Sequence, residues 1–283
     1  MTAPFKPSET PVQRLARRYG KAPEETDISI GNWNATLDLI LAHKSVRRFL
    51  DKPITPGTVE TLVAAAQSAP TSSNLQTWSV LAVENPACKA RLSRLAGDQA
   101  FIRAAPLFLV WLVDQHKLRA VGAAEEREPL ALDYLESFLL GAVDTSLAAQ
   151  NAMVALESLG LGATYVGGIR NKPADVAAEL DLPPHVFALF GMAVGWPDPA
   201  AGLEVKPRLE QKLVLQREQY RWSDAETRAV EDYNPRIRAF QRRQGMIEQD
   251  WTSQALKRTT GPESMAGRHA LRDILKRLGF ALR

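Results

Sequence analysis

The sequence predicts an α+β fold, and two observations carry that reading. Short apolar runs with strand character are separated by helical patterns, without the regular alternation of a parallel βαβ protein. One helical stretch, residues 130–159, is apolar around much of its circumference, as expected of a helix buried centrally or at a subunit interface. The expected sheet is mixed and largely antiparallel, flanked by helices.

Each element has a local reason. Residues 13–19 read as a short basic helix, followed by a polar linker to Trp33. Asn34 caps a helix carrying Leu37, Leu39, Ile40 and Leu41, which ends near His43 or Lys44. Lys52 to Gly57 is a loop, and residues 58–68 form a helix with Val59, Leu62 and Val63 on one face. Pro70 disfavours helical dihedrals at Ala69, so a loop opens there. Residues 78–83 suit a strand, 86–95 a helix and 107–113 a buried strand. Pro129 can begin the long helix, and Gly160 and Gly162 end it. Ala148, Ala149, Ala152 and Ala155 on that helix would let a partner helix approach closely. Residues 163–166 and 186–194 are strands around a helix at 173–180; residues 224–243 and 265–278 are helices on a tail. The expected organisation is an extension at 1–33, a core at 34–217 and a helical tail at 218–283 that completes the same domain.

Composition excludes whole classes. Of 283 residues, 45% are apolar and 24% charged, which rules out a disordered chain or a low-complexity scaffold. The lone Cys88 excludes an intramolecular disulfide framework, and a reducing compartment is expected. The N-terminal stretch lacks the apolar core of a secretory signal, and runs such as residues 107–113 are too short to span a bilayer. A cytoplasmic protein without a membrane partner is expected. The net charge is +3, and the surplus sits in residues 218–283, which hold 13 basic and 9 acidic groups. That tail could be a solvated face or meet an anion; it carries no nucleic-acid-binding module, and no nucleic-acid partner is expected.

The sequence contains no phosphate-loop motif, His-Glu-x-x-His, paired Cys-x-x-Cys, Gly-x-Gly-x-x-Gly or Gly-x-Ser-x-Gly. His43, His116, His185 and His269 are far apart in sequence, so no metal is expected. A cofactor that brings its own reactivity becomes attractive. Four features could hold one. His43-Lys44-Ser45-Val46-Arg47 offers cations and a hydroxyl suited to a phosphate, or basic residues satisfying a helix C-terminus. Thr71-Ser72-Ser73-Asn74-Leu75-Gln76 is rich in donors for ring nitrogens and oxygens, or an ordinary polar turn. Tyr165-Val166-Gly167-Gly168 allows close backbone approach to a flat ligand, or a simple turn. Lys206-Pro207-Arg208 holds two cations apart, or is a surface loop.

These features occur in order, joined by Gln99, by Asp144-Thr145-Ser146 and by Gly167-Gly168-Ile169-Arg170-Asn171. The ordered set, from about His43 to Leu209 and more weakly at Asp250-Trp251-Thr252, resembles the nitroreductase superfamily, in its branch of oxygen-insensitive nitroreductases and flavin reductases. Residues 1–33 lie outside the resemblance. The resemblance implies a homodimer with FMN at each site, both subunits contributing, and residues 130–159 as the central dimer-interface helix.

It further implies that His43, Ser45, Lys206 and Arg208 hold the FMN phosphate, with Lys44 a further cofactor-binding residue at a position where the branch varies, and that Arg47 lies toward the pyrimidine side, where negative charge develops on reduction. Thr71, Ser72 and Ser73 would approach from the partner subunit, and Gln99 would bond the ring's polar edge. Tyr165, Val166, Gly167 and Gly168 would lie by the isoalloxazine, with Asn74 and Gln76 in the acceptor pocket. The implied reaction is ping-pong transfer of hydride from NADPH or NADH to a nitroaromatic, quinone or free flavin, with no side-chain nucleophile. The alternative is a module that stores or senses FMN with little turnover. The basic pair associated with NADPH in this branch is replaced by Met246-Ile247-Glu248-Gln249-Asp250, with Arg242 and Arg243 slightly earlier.

Overall fold

Strand register and helix caps both follow from the local sequence in a computed structural model that describes residues 9–26 and 28–283. In chain order the helices are α1 (Pro11–Tyr19), α2 (Ala35–Leu41), α3 (Thr58–Gln67), α4 (Pro86–Leu95), α5 (Ala100–Ala104), α6 (His116–Ala124), α7 (Leu135–Ser158), α8 (Pro173–Glu179), α9 (Asp224–Glu231), α10 (Tyr233–Arg243), α11 (Trp251–Arg258) and α12 (Leu271–Arg277). The strands are β1 (Trp78–Val83), β2 (Leu107–Asp114), β3 (Gly162–Val166) and β4 (Val186–Gly195). The chain divides into a first unit, residues through Lys44 with Gly202–Ser264, and a second, Ser45–Ala201 with Met265–Arg283.

In the second unit the strands form one sheet, in the order β1-β2-β4-β3, with every neighbouring pair antiparallel. Ser45 adds one isolated parallel bridge to Ala163 of β3, outside the four strands, so the sheet itself is antiparallel throughout rather than mixed. β2 is buried along its whole length, which explains its unbroken apolar run. Its alternate residues serve two cores. Leu107, Leu109 and Trp111 pack with α3 and α7 residues such as Leu62, Ala152 and Leu156. Phe108, Val110 and Leu112 pack on the other face with Leu92, Ile102 and Val176. α7 carries Leu135, Leu139, Val143 and Leu147 on an exposed stripe four residues apart. It is long and apolar enough to cross a membrane by length and composition, a test that core helices also pass.

Several expected helix boundaries need correction, α2 among them, which ends at Leu41 rather than near His43 or Lys44. The long helix starts at Leu135, not at 130: Leu130–Asp133 is a 3₁₀ turn, and Tyr134 is extended (φ −92°, ψ 151°). Pro129 sits outside α7, at φ −83° and ψ 69°, so it does not serve as the first helical residue. The helix expected at 224–243 is two helices meeting at Asp232. Pro235 cannot donate to Glu231, and its ring crowds that carbonyl. The helix expected at 265–278 shrinks to α12, because Ala266 and Gly267 hold positive φ (51° and 84°).

In the first unit α1 begins two residues earlier than expected, because Thr10 and Gln13 form a capping box around Pro11. Gly20 ends it in the left-handed region, φ 64°. The Arg14 guanidinium meets Asp38 on α2 at 2.6 Å, with both side chains buried. Trp33 also donates to Asp38, at 2.9 Å. Tyr233, Ile237 and Phe240 of α10 form a separate core with Leu209 and Trp251.

Candidate functional site

Residues that read from sequence as one constellation fall in both units. In the first are His43, Lys44, Lys206 and Arg208; in the second are Ser45, Arg47, the 71–76 loop, Gln99 and the 165–168 turn.

In the second unit, Val46 is buried and its amide donates to Ala163 at 2.9 Å. A Cβ on Gly162 would come within 2.4 Å of the Val46 side chain, so that glycine is what lets the segment seat. With Val46 inward, its neighbours Ser45 and Arg47 are exposed. The Arg47 guanidinium carbon lies 5.9 Å from the Phe101 ring centroid.

The 71–77 loop carries the most strain. Ser73, Asn74 and Gln76 all hold left-handed φ, 48°, 56° and 53°. Non-glycine residues there cost of order 1–3 kcal/mol each and persist only when braced. The brace is Asp144 of α7, a buried carboxylate. It accepts hydrogen bonds from Thr71 Oγ1 (2.5 Å), Ser72 N (3.2 Å), Thr77 N (3.4 Å) and Thr77 Oγ1 (3.2 Å). Thr71 Oγ1 in turn accepts from Gln76 N at 3.0 Å. The outcome is an exposed row from Ser72 to Gln76, with Asn74 and Gln76 hydrogen-bonded to each other at 3.2 Å.

Gln99 and Gly168 are brought together. Gln99 Nε2 donates to Ala96 O at 2.8 Å. A Cβ on Gly168 would sit 2.4 Å from that same carbonyl and 2.6 Å from Gln99 Nε2. Packing alone therefore requires Gly168. Gly167 differs: its Cβ would meet nothing nearer than the Arg170 guanidinium at 3.5 Å and that of Arg268 at 3.9 Å. Protein packing leaves room there for a side chain that the sequence does not supply. Val166 is buried in the core facing α4 and α8, so only its backbone can serve a ligand. Tyr165 stacks edge-on against Phe190 at 5.2 Å and donates to Gln150 at 3.2 Å; burial, aided by Glu157, raises its phenol pKa.

Sequence reasoning passed over three residues here. Asp144 was visible only as part of a motif, because its partners lie 67–73 positions away. Arg170 follows the glycine pair, donates to Leu189 O, and has its pKa lowered by burial and then by Arg268. Arg268 has no local sequence signal. Together they place two guanidinium groups beside Gly167.

In the first unit, Lys206 and Arg208 line a pocket of about 870 Å³, with Arg18, Tyr233, Gln241 and Trp251 also on its walls. Lys206 Nζ stands 5.7 Å from the Phe240 ring. Arg208 is exposed, with its backbone N–H bound to Arg18 O at 2.8 Å. Lys44 Nζ donates to Leu203 O at 2.9 Å. Tyr233 donates to Pro207 O at 2.7 Å, holding the bend between the two cations. In the tail, Arg242 pairs with Glu248 through two contacts of 2.8 Å, and Arg243 with Glu204 at 2.9 Å. Among the described residues no three His, Cys, Asp or Glu side chains cluster as metal ligands.

The nitroreductase family model matches residues 40–196, and the model for that family's C-terminal domain matches residues 206–283. An FMN reductase (NADPH) of Bacillus subtilis (strain 168) is 36% identical, over 87% of this chain and 98% of its own length. An oxygen-insensitive NADPH nitroreductase of Salmonella typhimurium is 35% identical, over 88% of this chain and 99% of its own. The solved NADPH:FMN oxidoreductase from Vibrio harveyi, complexed with NAD+, superimposes with a TM-score of 0.78 at 33% identity, covering 88% of this chain and all of that one. Two family models in sequence order and full-length relatives place this chain in the nitroreductase family.

Proposed function

We propose that this chain is an FMN-dependent oxidoreductase that moves hydride from NAD(P)H to small electron-poor acceptors. Nitroaromatics, quinones and free flavins are the acceptor classes. The observation that carries the reading is the ordered set from His43 to Arg208, kept in a chain that matches an FMN reductase over 98% of that enzyme's length.

The residues fit the cofactor chemically. The first unit supplies His43, Lys44, Lys206 and Arg208, a donor set suited to a phosphate dianion. A planar guanidinium at Arg208 can grip it through two hydrogen bonds, while Lys206 acts as a point charge. The second unit supplies neutral donors at Ser45, Ser72 and Ser73, and a side-chain-free approach at Gly167, while the Thr71 hydroxyl, whose one hydrogen goes to Asp144, braces the loop instead. Bound FMN would supply two-electron hydride chemistry between the nicotinamide and the acceptor. Arg47 would offset negative charge that develops on the reduced flavin. Arg170 and Arg268 add positive potential beside Gly167. Asp144 holds the 71–77 loop in one conformation, so its donors are preorganised.

We read the exposed stripe on α7 as the homodimer interface that completes the site, and the cytoplasm as the working compartment. The 34–217 core and the 218–283 tail are read as one functional domain, with residues 1–33 as an extension to it. Both NADPH and NADH are candidate reductants. Steady-state oxidation of each with a quinone, in the presence of FMN, tests the proposal: turnover supports it, and flavin binding without turnover leaves a storage or sensing module.

A further inference from the structure

The α1 helix lies outside both family matches, which begin at residues 40 and 206. It is nevertheless built into the first unit. Leu15 and Ala16 are buried, Arg14 pairs with Asp38, and Lys21 pairs with Glu210 at 3.0 Å. Gly20 packs so closely on Pro207 that an added Cβ would stand 3.1 Å from its ring.

Arg18 is the centre of this docking, at 9% exposure. Its Nη2 donates to Leu41 O at 2.8 Å and to His43 O at 3.3 Å. Its Nη1 donates to Lys206 O at 3.1 Å, and its own carbonyl accepts from Arg208 N. One residue thus ties the end of α2, where His43 and Lys44 follow, to the backbone of Lys206 and Arg208. Leu41 closes α2, so its carbonyl belongs to the negative end of that helix. A phosphate near His43 would be repelled by that end; the Arg18 guanidinium both satisfies the carbonyl and cancels its field.

We propose that Arg18 is a positioning residue for the phosphate-binding cations, so that a helix outside the family matches tunes FMN affinity. The inference rests on the FMN reading above. It concerns the phosphate alone, so riboflavin, which lacks one, is the internal control.

The full-length protein is dialysed to equilibrium against FMN or against riboflavin, and bound flavin is measured by fluorescence after release. Wild type is expected to prefer FMN. Arg18→Met is expected to raise the FMN dissociation constant about ten-fold or more and that of riboflavin less than about two-fold. An unchanged ratio of the two constants, including an equal loss of both, overturns the inference, because a merely structural staple would weaken both alike. Arg18→Lys keeps the charge without the planar fork and should fall between; if Arg18→Met does not fold, the ratio in Arg18→Lys decides in the same way. Wild type that binds no FMN overturns the proposed function together with this inference. Loss of FMN in Arg208→Ala with no effect of Arg18→Met overturns this inference alone.

Discussion

Replacing Asp144 by Asn tests whether one buried carboxylate holds the 71–77 loop in its strained form. The carboxylate accepts from four donors: Oδ1 takes Ser72 N, and Oδ2 takes Thr71 Oγ1, Thr77 Oγ1 and Thr77 N. Asn keeps the shape but offers one oxygen and one NH₂. With its oxygen toward the threonines, its NH₂ faces the Ser72 N–H, and two donors oppose each other. Hydrogen bonds to a charged group are worth about 1.5–3 kcal/mol against 0.5–1.5 for neutral ones. Losing the Ser72 bond costs about 1.5–3 kcal/mol and weakening the short Thr71 bond about 1 more, while the longer Thr77 contacts add little, so the total is about 2–4 kcal/mol. The left-handed residues Ser73, Asn74 and Gln76 favour release in the same direction. Asp144→Asn should therefore lower unfolding stability by about 2–4 kcal/mol in urea at unchanged m. Amide exchange across residues 71–77 should rise, and kcat/KM for a quinone should fall. Asp144→Ala, which leaves all four donors without an acceptor, should be worse. Stability within about 0.5 kcal/mol of wild type in both variants would refute the reasoning.

Other perturbations follow from the same geometry. Leu139→Arg places a charge in the exposed α7 stripe, whose four half-exposed side chains would contribute about 3–6 kcal/mol per protomer if covered; sedimentation should show monomer, and an unchanged dimer would remove α7 from the interface. Gly168→Ala drives a methyl into the Ala96 carbonyl and should destabilise the fold by about 1–3 kcal/mol. Gly167→Ala should leave melting unchanged yet slow flavin reduction, and normal reduction would deny the open approach a role. Burial pushes the Glu210 carboxyl up, but Lys21, Arg236 and Lys212 outweigh it and hold its pKa at about 2 against an ordinary 4.5. A depressed carboxylate contributes stability that is full above pH 4.5 and lost as pH falls toward 2, on the order of 2–3 kcal/mol. Glu210→Gln should therefore flatten the acid limb of the stability profile, which an unaltered limb would contradict.

Where a signal is local, the sequence carries it. β1 was expected at 78–83 and is Trp78–Val83, because a short β-rich run is bounded by a polar loop and by Pro86. Errors arise where backbone geometry overrides pattern. The 130–159 pattern is helical throughout, yet Tyr134 is extended and the regular helix starts after it. Pro235 splits a tail helix whose polarity pattern is continuous, and left-handed Ala266 shortens another. The candidate site residues are proposed from type and order, which mark donors and cations. What orients them was not legible: Asp144 meets Thr71 across 73 residues, and Arg18 meets Lys206 across 188. Such pairings exist only in the folded chain. Gly167 and Gly168 look alike in sequence, and only packing separates a glycine required by Ala96 from one left open.

The central claim is that this chain takes hydride from a nicotinamide onto a bound flavin. Anaerobic titration of the purified, FMN-loaded protein with NADPH, and separately with NADH, tests it most directly. The account predicts a yellow protein that bleaches with about one equivalent of at least one reductant per bound FMN, and regains its colour when a quinone is added. A protein that retains no FMN, or whose bound flavin is bleached by neither nicotinamide, would contradict it.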